Sequence, residues 1–263
     1  MTDQAMKAIN DGALVFCSHS GGKDSQAMYA FLRSFVPADQ IVVVHAHLGE
    51  VEWDGVKTHI RDNIDHDLNV VTAQWKDGTE KNLLNMVARR FETRPDAPSW
   101  PSAAYRQCTS DLKRNPIQKF MRHEMKRRGS LLAINAMGLR AEESSARAKR
   151  QIWSINKAMS KAGRQVFDWN PIHHWKVAEV FSMIEQAGQQ PFHAYASGNE
   201  RLSCVFCIMG CTSDLRNGAR HHPELAAKYI ELERSTGYGL FSKTDTLEAR
   251  LAGIPITIEE NDK

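Results

Sequence analysis

Residue types that bind phosphate occur together in one short stretch, Ser18-His19-Ser20-Gly21-Gly22-Lys23-Asp24-Ser25. Glycine lets a backbone approach an anion closely, and the first N–H groups of a helix attract negative charge. Lys23 adds a positive charge, and the serines add hydroxyl donors. The common P-loop has a glycine at the position of Cys17 and a serine or threonine where Asp24 stands. The stretch therefore predicts a phosphate site of another kind.

A second set of reactive residues lies further along, where three of the five cysteines are Cys204, Cys207 and Cys211. The Cys-x2-Cys spacing lets two thiolates turn onto one metal. An iron–sulfur cluster could take these three, alone or with Cys108, and apolar neighbours would exclude water from it. A zinc site could instead take its fourth ligand from His221 or His222. Reduced thiols without metal, or a dithiol redox pair, are the remaining interpretation.

The composition of the 263 residues sets the class of protein. An odd number of cysteines argues against a disulfide framework and predicts a cytoplasmic location. No apolar run approaches the length of a membrane span, and the N-terminus lacks a secretion signal. The net charge is only +3, but basic residues are dense at 113–128 and 140–150, which leaves a nucleic-acid partner open. We predict a nucleotide-binding domain at 1–187 and a helical region with the cysteines, packed on it, at 188–263.

The elements that position these residues follow from apolar patterning. Buried strands are predicted at 13–17, 40–46, 69–73 and 131–137, and helices at 27–35, 53–66 and 81–90. This alternation predicts a doubly wound α/β fold with a mainly parallel sheet, in which ligands bind at the carboxyl ends of the strands. Residues 18–25 and 45–50 should therefore share one edge of the sheet. Arg140, just past the fourth strand, should point to the same edge as Lys23.

The remaining segments give coarser predictions. Three prolines predict a loop at 91–104, followed by a basic helix that Thr109 or Ser110 caps and that reaches about Arg128. Cys17 is predicted to be a buried, small apolar residue of the first strand.

The second half of the chain has weaker apolar patterning. Residues 153–167 fit no single element, and 168–172 predict a turn that leads into a helix at 177–186. One periodic helix is predicted from 214–216 and 223–233. The tail after Leu251 is expected to be frayed.

The six residues from Ser20 to Ser25 match S-G-G-K-D-S, and the chain thereby resembles the PP-loop (adenine nucleotide α-hydrolase-like) superfamily. The resemblance implies ATP or an adenylyl sulfate, bound with Mg²⁺, and chemistry at the α-phosphate. It implies catalytic roles for Lys23 and Asp24. It also implies nucleotide contacts from Ser18, Ser20, Gly21, Gly22, Lys23, Asp24 and Ser25. The end of the second strand lies by the adenine and ribose in the superfamily, which makes His47 or Glu50 a candidate there, with a simple loop role as the alternative.

Further motifs between about residues 14 and 210 resemble the phosphoadenylyl-sulfate (PAPS) reductase branch of this superfamily. They comprise Arg106, Cys108, Thr109, Lys113 and Pro116; Gly138, Arg140, Glu143, Ser144 and Arg147; Asn170, Pro171, Ile172 and Trp175; and Tyr195, Gly198, Arg201 and Cys204. The resemblance adds Arg106, Gly138, Arg140 and Arg147 to the nucleotide site and gives Arg140 and Cys108 catalytic roles. The branch includes sulfur-transfer enzymes of the DNA-phosphorothioation type.

One departure from the branch shapes the functional prediction. PAPS reductases use a cysteine in an E-C-G-x-H stretch near the C-terminus, whereas residues 212–263 contain no cysteine. We therefore predict an enzyme that adenylates an acceptor with ATP for sulfur transfer. An alternative is a sulfonucleotide reductase with Cys108 or Cys211 as nucleophile, and another is a non-catalytic protein that binds nucleic acid or regulates.

The resemblance also bears on the cysteines and the partners. It favours an iron–sulfur cluster (4Fe–4S) over zinc, with Cys108, Cys204 and Cys207 as ligands and Cys211 as the fourth. Three ligating cysteines would leave one iron open to sulfide, whereas four would close the site. The expected partners are an adenine nucleotide, a nucleic-acid acceptor and a protein that donates sulfur or electrons, and the chain could form a homo-oligomer. No membrane partner is expected.

Overall fold

The computed structural model describes residues 2 to 256. The strands of its sheet are β1 Leu14–Ser18, β2 Ile41–His47, β3 Leu68–Thr72, β4 Leu132–Met137, β5 Trp153–Ile155 and β6 Gln165–Trp169. The α-helices are α1 Asp3–Asn10, α2 Lys23–Arg33, α3 Val56–Asp62, α4 Leu83–Thr93, α5 Asn115–Arg127, α6 Ser145–Ala148, α7 Val177–Gln186, α8 His193–Ala196, α9 Thr212–His221, α10 Pro223–Thr236 and α11 Leu247–Arg250. Short 3₁₀ helices span Ala38–Gln40, Gly49–Val51 and Ala141–Glu143, and a π-helix spans Cys108–Arg114.

The sheet has the strand order β3-β2-β1-β4-β6-β5. Strand β1 pairs in parallel with β2 and β4, with Val15 opposite Ile41 and Ile134. Strand β6 is parallel to β4, and the edge strand β5 runs antiparallel to its neighbour β6. Because β1 and β4 are adjacent although many residues separate them, the chain crosses over the sheet, as in doubly wound folds.

The two faces of the sheet are both covered. Val15 and Cys17 pack in a cluster with residues of α1 and α2. Phe16, which points the other way, packs with Met121 and Met125 of α5. Burial on both faces explains why the central strands are continuous apolar runs without alternation. The predicted doubly wound, mainly parallel α/β fold is confirmed.

The chain forms two compact units. The first contains residues up to Ala46, Gly55–Val71 and Pro116–Phe192, and it carries the sheet. The second contains His47–Asp54, Thr72–Asn115 and the described residues from His193 onward. The units therefore interleave along the sequence. The division into domains at 1–187 and 188–263 stays a prediction.

Several predicted boundaries are wrong for local reasons. Helix α3 begins at Val56 rather than Trp53 because Gly55 is left-handed, with φ 80°. The single helix predicted after the cysteines is two helices, α9 and α10, which are separated at His222. Pro223 opens the second of them, since it has no N–H to donate back.

Other segments resolve what the sequence left open. The ambiguous stretch 153–167 supplies the antiparallel strands β5 and β6. The turn predicted to begin at Asp168 starts later, because Asp168 and Trp169 end β6. Helix α7 has the predicted bounds. Among residues 2 to 256, no helix is long and apolar enough to cross a bilayer. The frayed tail predicted after Leu251 lies mostly outside the described residues.

Candidate functional site

The loop between β1 and α2 has the backbone of an anion site. Gly21 adopts φ 78°, a left-handed conformation that favours glycine. Gly22 is the N-cap of α2 and makes no side-chain hydrogen bond to that helix end. The dipole of the helix favours negative charge there, and a first helical turn presents N–H groups to an anion.

Ser25 closes the turn through its hydroxyl group. Its Oγ accepts a hydrogen bond from the backbone N–H of Ser20 at 3.1 Å and donates to the carbonyl of Gly22 at 2.8 Å. The hydroxyl of Ser20 lies 3.2 Å from the same Oγ. Ser18, at the end of β1, donates to Oδ1 of Asn135 on β4 at 3.4 Å. These hydroxyl groups hold the loop in shape.

Asp24 joins two cations beside the loop. Its Oδ2 lies 3.2 Å from Nζ of Lys23, and its Oδ1 accepts from Nε of Arg140 at 2.5 Å. The side chains of Lys23 and Arg140 are only 7% and 3% exposed, so both charges are nearly buried. Burial would lower the pKa of Arg140, but the Asp24 hydrogen bond and neighbouring carboxylates raise it overall. The structure therefore brings together the two cations that the sequence places at one edge of the sheet.

The loop that carries Arg140 is itself held by carboxylates. Nη1 of Arg140 donates to Glu142 at 2.7 Å, and its backbone N–H donates to Glu143 at 2.9 Å. Glu143 also pairs with Arg147. The backbone of Arg147 accepts from Nε2 of His173, a buried residue that the sequence analysis did not single out. Arg147 is thus placed in the same network as Arg140.

Gly138 allows the end of β4 to approach the loop. A Cβ atom at this position would lie 2.8 Å from the carbonyl oxygen of Asp24 and 3.0 Å from the backbone nitrogen of Ser25. Real Cβ atoms do not tolerate such contacts, so a glycine is needed for close approach rather than for an unusual dihedral angle.

Gly138→Ala is expected to lower the free energy of unfolding by about 2 kcal/mol, because overpacking forces two backbone segments apart. Urea unfolding measures this loss, and titration with ATP should show weaker binding. Gly218→Ala is the matched control. Gly218 lies in the second unit, where an added Cβ atom would be 2.9 Å from Cγ1 of Val205. It should lower stability but leave ATP binding unchanged. Equal ATP affinity in the two variants would contradict this role of Gly138.

His19 is a buried part of the loop that the sequence analysis did not assign. Its Nδ1 accepts a hydrogen bond from the N–H of Gly21 at 3.1 Å, which requires the neutral ring to carry its proton on Nε2. That Nε2 is buried and has no hydrogen-bond partner among the described residues. Burial, with smaller effects of His45 and His59, lowers the pKa of His19 to about 3. The burial of a polar loop residue left no signal in the sequence.

The shifted pKa of His19 makes stability depend on pH. The unfolded chain takes up a proton near the ordinary value of 6.5, whereas the folded chain resists it down to about 3. Stability should therefore fall as the pH drops below 6.5, by about 1.4 kcal/mol per unit from this residue. His19→Asn keeps a hydrogen-bond acceptor but cannot titrate. Between about pH 6.5 and pH 5, its free energy of unfolding should therefore fall by about 2 kcal/mol less than that of the parent chain. An equal fall in both proteins, measured by urea unfolding at the two pH values, would contradict the assignment.

The second unit contains Cys108, Cys204, Cys207 and Cys211, and Cys108 begins the π-helix. Gln107 is its N-cap, so the predicted cap at Thr109 or Ser110 is wrong. In an α-helix, residues five apart point about 140° from one another. The i→i+5 bonds of a π-helix instead bring Cys108 and Lys113 to one face. Short π segments often occur at functional sites because they move a side chain in this way.

Three thiols share an electrostatic environment with Lys113. Burial raises the pKa of Cys204 and of Cys108, and Lys113 opposes both shifts. Burial alone would lower the pKa of Lys113, but Cys204, Cys207 and Cys108, together with Glu52, raise it overall. An ammonium group that stabilises thiolates is the electropositive environment that metal-binding or reactive cysteines need. The structure thus places Cys108, Cys204 and Cys207 within electrostatic range of Lys113.

Backbone contacts hold this loop in place. Cys204 forms an antiparallel bridge with Glu52, and the N–H of Val205 donates to the carbonyl of Val51 at 2.9 Å. Sγ of Cys207 accepts from the N–H of Met209 at 3.4 Å. Tyr229 of α10 is fully buried, and its hydroxyl group has no partner among the residues that the structure describes.

Cys211 and the histidines are placed differently. Sγ of Cys211 lies 3.0 Å from the hydroxyl of Ser213. His221 and His222 surround Trp53, with ring centroids 5.8 and 5.0 Å from it.

A zinc ion holds its thiolates about 3.8 Å apart at a Zn–S distance of about 2.3 Å. In residues 2 to 256, no three ligand atoms that include a cysteine lie within 4.8 Å of one another. The thiols therefore do not form a ready zinc site, either with one another or with a histidine. An iron–sulfur cluster places each thiolate on a separate iron and needs a wider set.

Two further nucleotide candidates, His47 and Arg106, belong to the second unit. Nδ1 of His47 lies 2.5 Å from a carboxylate oxygen of Glu52. Arg106 is exposed just before the π-helix, and its carbonyl accepts from the N–H of Thr109 at 3.0 Å. The other nucleotide candidates all lie in the first unit.

Comparison with known proteins decides the family. The model of the phosphoadenosine phosphosulfate reductase domain matches residues 14–210, about three quarters of the chain. The chain belongs to this family. The predicted membership of the PAPS-reductase branch is therefore confirmed.

Two curated proteins and one solved structure are similar to this member of the PAPS-reductase family. An uncharacterised 37.8 kDa protein of Escherichia phage 186 is 29% identical over 136 residues, 51% of this chain and 39% of that protein. An uncharacterised protein of Methanocaldococcus jannaschii is 21% identical over 229 residues, 87% of this chain. The chain spans only 50% of that protein. The structure is similar to PAPS reductase from Candida auris in a phosphate complex, with TM-score 0.49, 11% identity and coverage of 76% of this chain and 85% of that one.

Proposed function

We propose that the chain binds ATP with Mg²⁺ at the loop 18–25 and uses it to adenylate an oxygen of an acceptor for sulfur transfer. The observation that carries this proposal is the pairing of Lys23 and Arg140 through Asp24 beside the uncapped first turn of α2. A triphosphate would offer oxygen atoms to both cations and to the N–H groups of the turn.

In the first step, the acceptor oxygen attacks the α-phosphorus. The bond from that phosphorus to the bridging oxygen breaks, and pyrophosphate leaves with the electron pair. Lys23, the loop N–H groups and Arg140 stabilise the charge that grows on the phosphate oxygens. Asp24 acts by holding the two cations in place before the nucleotide binds.

In the second step, sulfur at the oxidation level of sulfide attacks the activated centre of the acceptor. The bond from that centre to the adenylate oxygen breaks, and AMP leaves with the oxygen. No electron is gained or lost overall, so the reaction needs no reductant. A partner protein that donates sulfur fits this step, whereas a homo-oligomer and a cytoplasmic location stay predictions.

The cysteines fit an iron–sulfur cluster better than zinc. The ligands would be Cys108, Cys204 and Cys207, because Lys113 interacts electrostatically with these three thiols. Cys211 instead lies against the hydroxyl of Ser213. A 4Fe–4S cluster with three protein ligands supplies an iron atom that is open to a sulfur ligand. Lys113 offsets the negative charge of the thiolates, and apolar residues such as Val205 and Phe206 exclude water.

The family membership also favours a second function, the reduction of an adenylyl sulfate with Cys108 or Cys211 as nucleophile. Burial raises the pKa of Cys108, although Lys113 opposes it, and this leaves less of the thiolate that attacks. A nucleophilic Cys108 is therefore the weaker proposal.

One experiment separates the two functions. Protein purified without air is incubated with PAPS or adenylyl sulfate and a dithiol, and separately with ATP, sulfide and total nucleic acid. We expect pyrophosphate and AMP from ATP, and no sulfite from either sulfonucleotide. Sulfite release that Cys108→Ser or Cys211→Ser abolishes would overturn the adenylation proposal in favour of the reductase.

A further inference from the structure

A positively charged surface lies on the first unit, on α5 and on the turn before β6. Along α5, Lys119, Arg122, His123 and Lys126 are exposed. Their spacing of i, i+3, i+4 and i+7 places them on one face of the helix, along about 10 Å of its length. Arg164 adjoins this face, because it lines a pocket of about 380 Å³ together with Arg122, His123, Lys126, Ser130 and Leu131. We call the four residues of α5 and Arg164 the basic surface.

The charges of the basic surface are not neutralised. Glu124, the only acidic residue of α5, is buried and accepts hydrogen bonds from Arg127 at 2.7 Å and Arg128 at 2.6 Å. No ion pair involves the five side chains of the basic surface in the described residues. The whole chain has 34 basic and 31 acidic residues, so a face without acids is not a consequence of composition. The charge is concentrated there.

The pocket also offers an unused donor and an apolar contact. Nε of Arg164 is buried and has no hydrogen-bond partner in the described part of the chain. A buried donor without an acceptor is costly, and an anionic oxygen entering the pocket would satisfy it. Leu131 is 60% exposed at the same place, where it can contact a sugar or a base.

The basic surface is not part of the nucleotide site. Leu131 and Arg164 precede β4 and β6, whereas Ser18 ends β1 and Arg140 follows β4. Because these strands are parallel, the basic surface lies at their amino ends, whereas the loop 18–25 and Arg140 lie at their carboxyl ends. The six residues of β4 separate them by about 20 Å. The phosphates of one nucleotide in the loop 18–25 cannot reach the basic surface.

We infer that the basic surface binds the phosphate backbone of a nucleic acid. Several cations along one helix face match the repeated charges of such a polymer, and binding to them releases counterions. The inference concerns binding alone and does not depend on the adenylation reaction. Its failure is therefore distinguishable from a failure of the proposed function.

The test is the affinity of the whole chain for labelled single-stranded DNA and RNA, measured by fluorescence anisotropy without ATP at several salt concentrations. The variant Arg122→Gln/Lys126→Gln should bind at least about tenfold more weakly, and its salt dependence should be shallower by about one unit of slope per cation removed. Arg164→Gln should weaken binding by itself, because it removes the unused donor.

The matched control, Arg61→Gln/Lys243→Gln, removes the same charge from exposed positions outside the pocket. It should bind within about twofold of the parent chain, since only a general charge effect remains. Equal weakening in the two double variants, or no binding at about 50 mM salt, would overturn the inference. Binding of polyglutamate as tight as that of the oligonucleotides would also overturn it, in favour of an acidic protein partner.

Discussion

Arg140→Met is expected to lower the free energy of unfolding by about 3 kcal/mol, because it leaves the carboxylate of Asp24 without its closest partner. The side chain of Arg140 is 3% exposed and that of Asp24 17%, so water cannot replace the lost hydrogen bond. The same change removes one of the two cations proposed to bind phosphate. Urea unfolding and ATP titration should therefore both report the loss.

Two further variants sharpen this prediction. Arg33→Met removes an exposed ion pair at the other end of α2, where Arg33 and Asp65 are 38% and 64% exposed. Exposed pairs contribute little, so this control should cost less than about 1 kcal/mol. Asp24→Asn combined with Arg140→Met should recover part of the stability but none of the ATP affinity. A double variant as unstable as Arg140→Met alone would show that the pair is not coupled.

Cys207→Ser is expected to abolish the bound iron of protein purified without air. The parent chain should contain about four iron and four sulfide per chain, with a brown visible absorbance. Cys108→Ser and Cys204→Ser should also lose the bound iron, because Lys113 interacts electrostatically with all three thiols. Iron and acid-labile sulfide analysis measures the result.

Cys211→Ser is the matched control for the cysteines. Its sulfur lies against the hydroxyl of Ser213, so this variant should keep its iron. Loss of iron in Cys211→Ser would show a closed cluster with four protein ligands. Colourless parent protein that contains zinc would contradict the iron–sulfur proposal itself.

The sequence predicts the sheet well because its physical cause is local. Strands such as β2 are covered on both faces, and the run Ile41–Val44 is apolar without alternation for that reason. The loop 18–25 was equally apparent, since its glycines, lysine and serines are close together in the chain. The position of Arg140 followed from the rule that parallel strands end at one edge.

The features that sequence reasoning missed depend on contacts distant in the chain. A segment of seven residues is too short for its apolar pattern to distinguish a π-helix from an α-helix, so nothing at 108–114 predicted that Cys108 and Lys113 share a face. The interleaving of the two units depends on pairings such as Glu52 with Cys204, which no local pattern encodes. The burial of His19 depends likewise on packing around the loop, with Tyr29 beside it.

The central claim, nucleotide binding at the loop 18–25, is tested most directly by calorimetric titration of ATP with Mg²⁺ into the parent chain and Lys23→Ala. Lys23 is nearly buried beside Asp24, whereas Lys7 on α1 is 76% exposed, which makes Lys7→Ala the matched control. We predict that the parent chain and Lys7→Ala bind ATP alike, and that Lys23→Ala binds at least about a hundredfold more weakly, a loss of about 2.7 kcal/mol. ATP binding of equal strength in Lys23→Ala, or no binding of ATP or an adenylyl sulfate by the parent chain, would contradict the account.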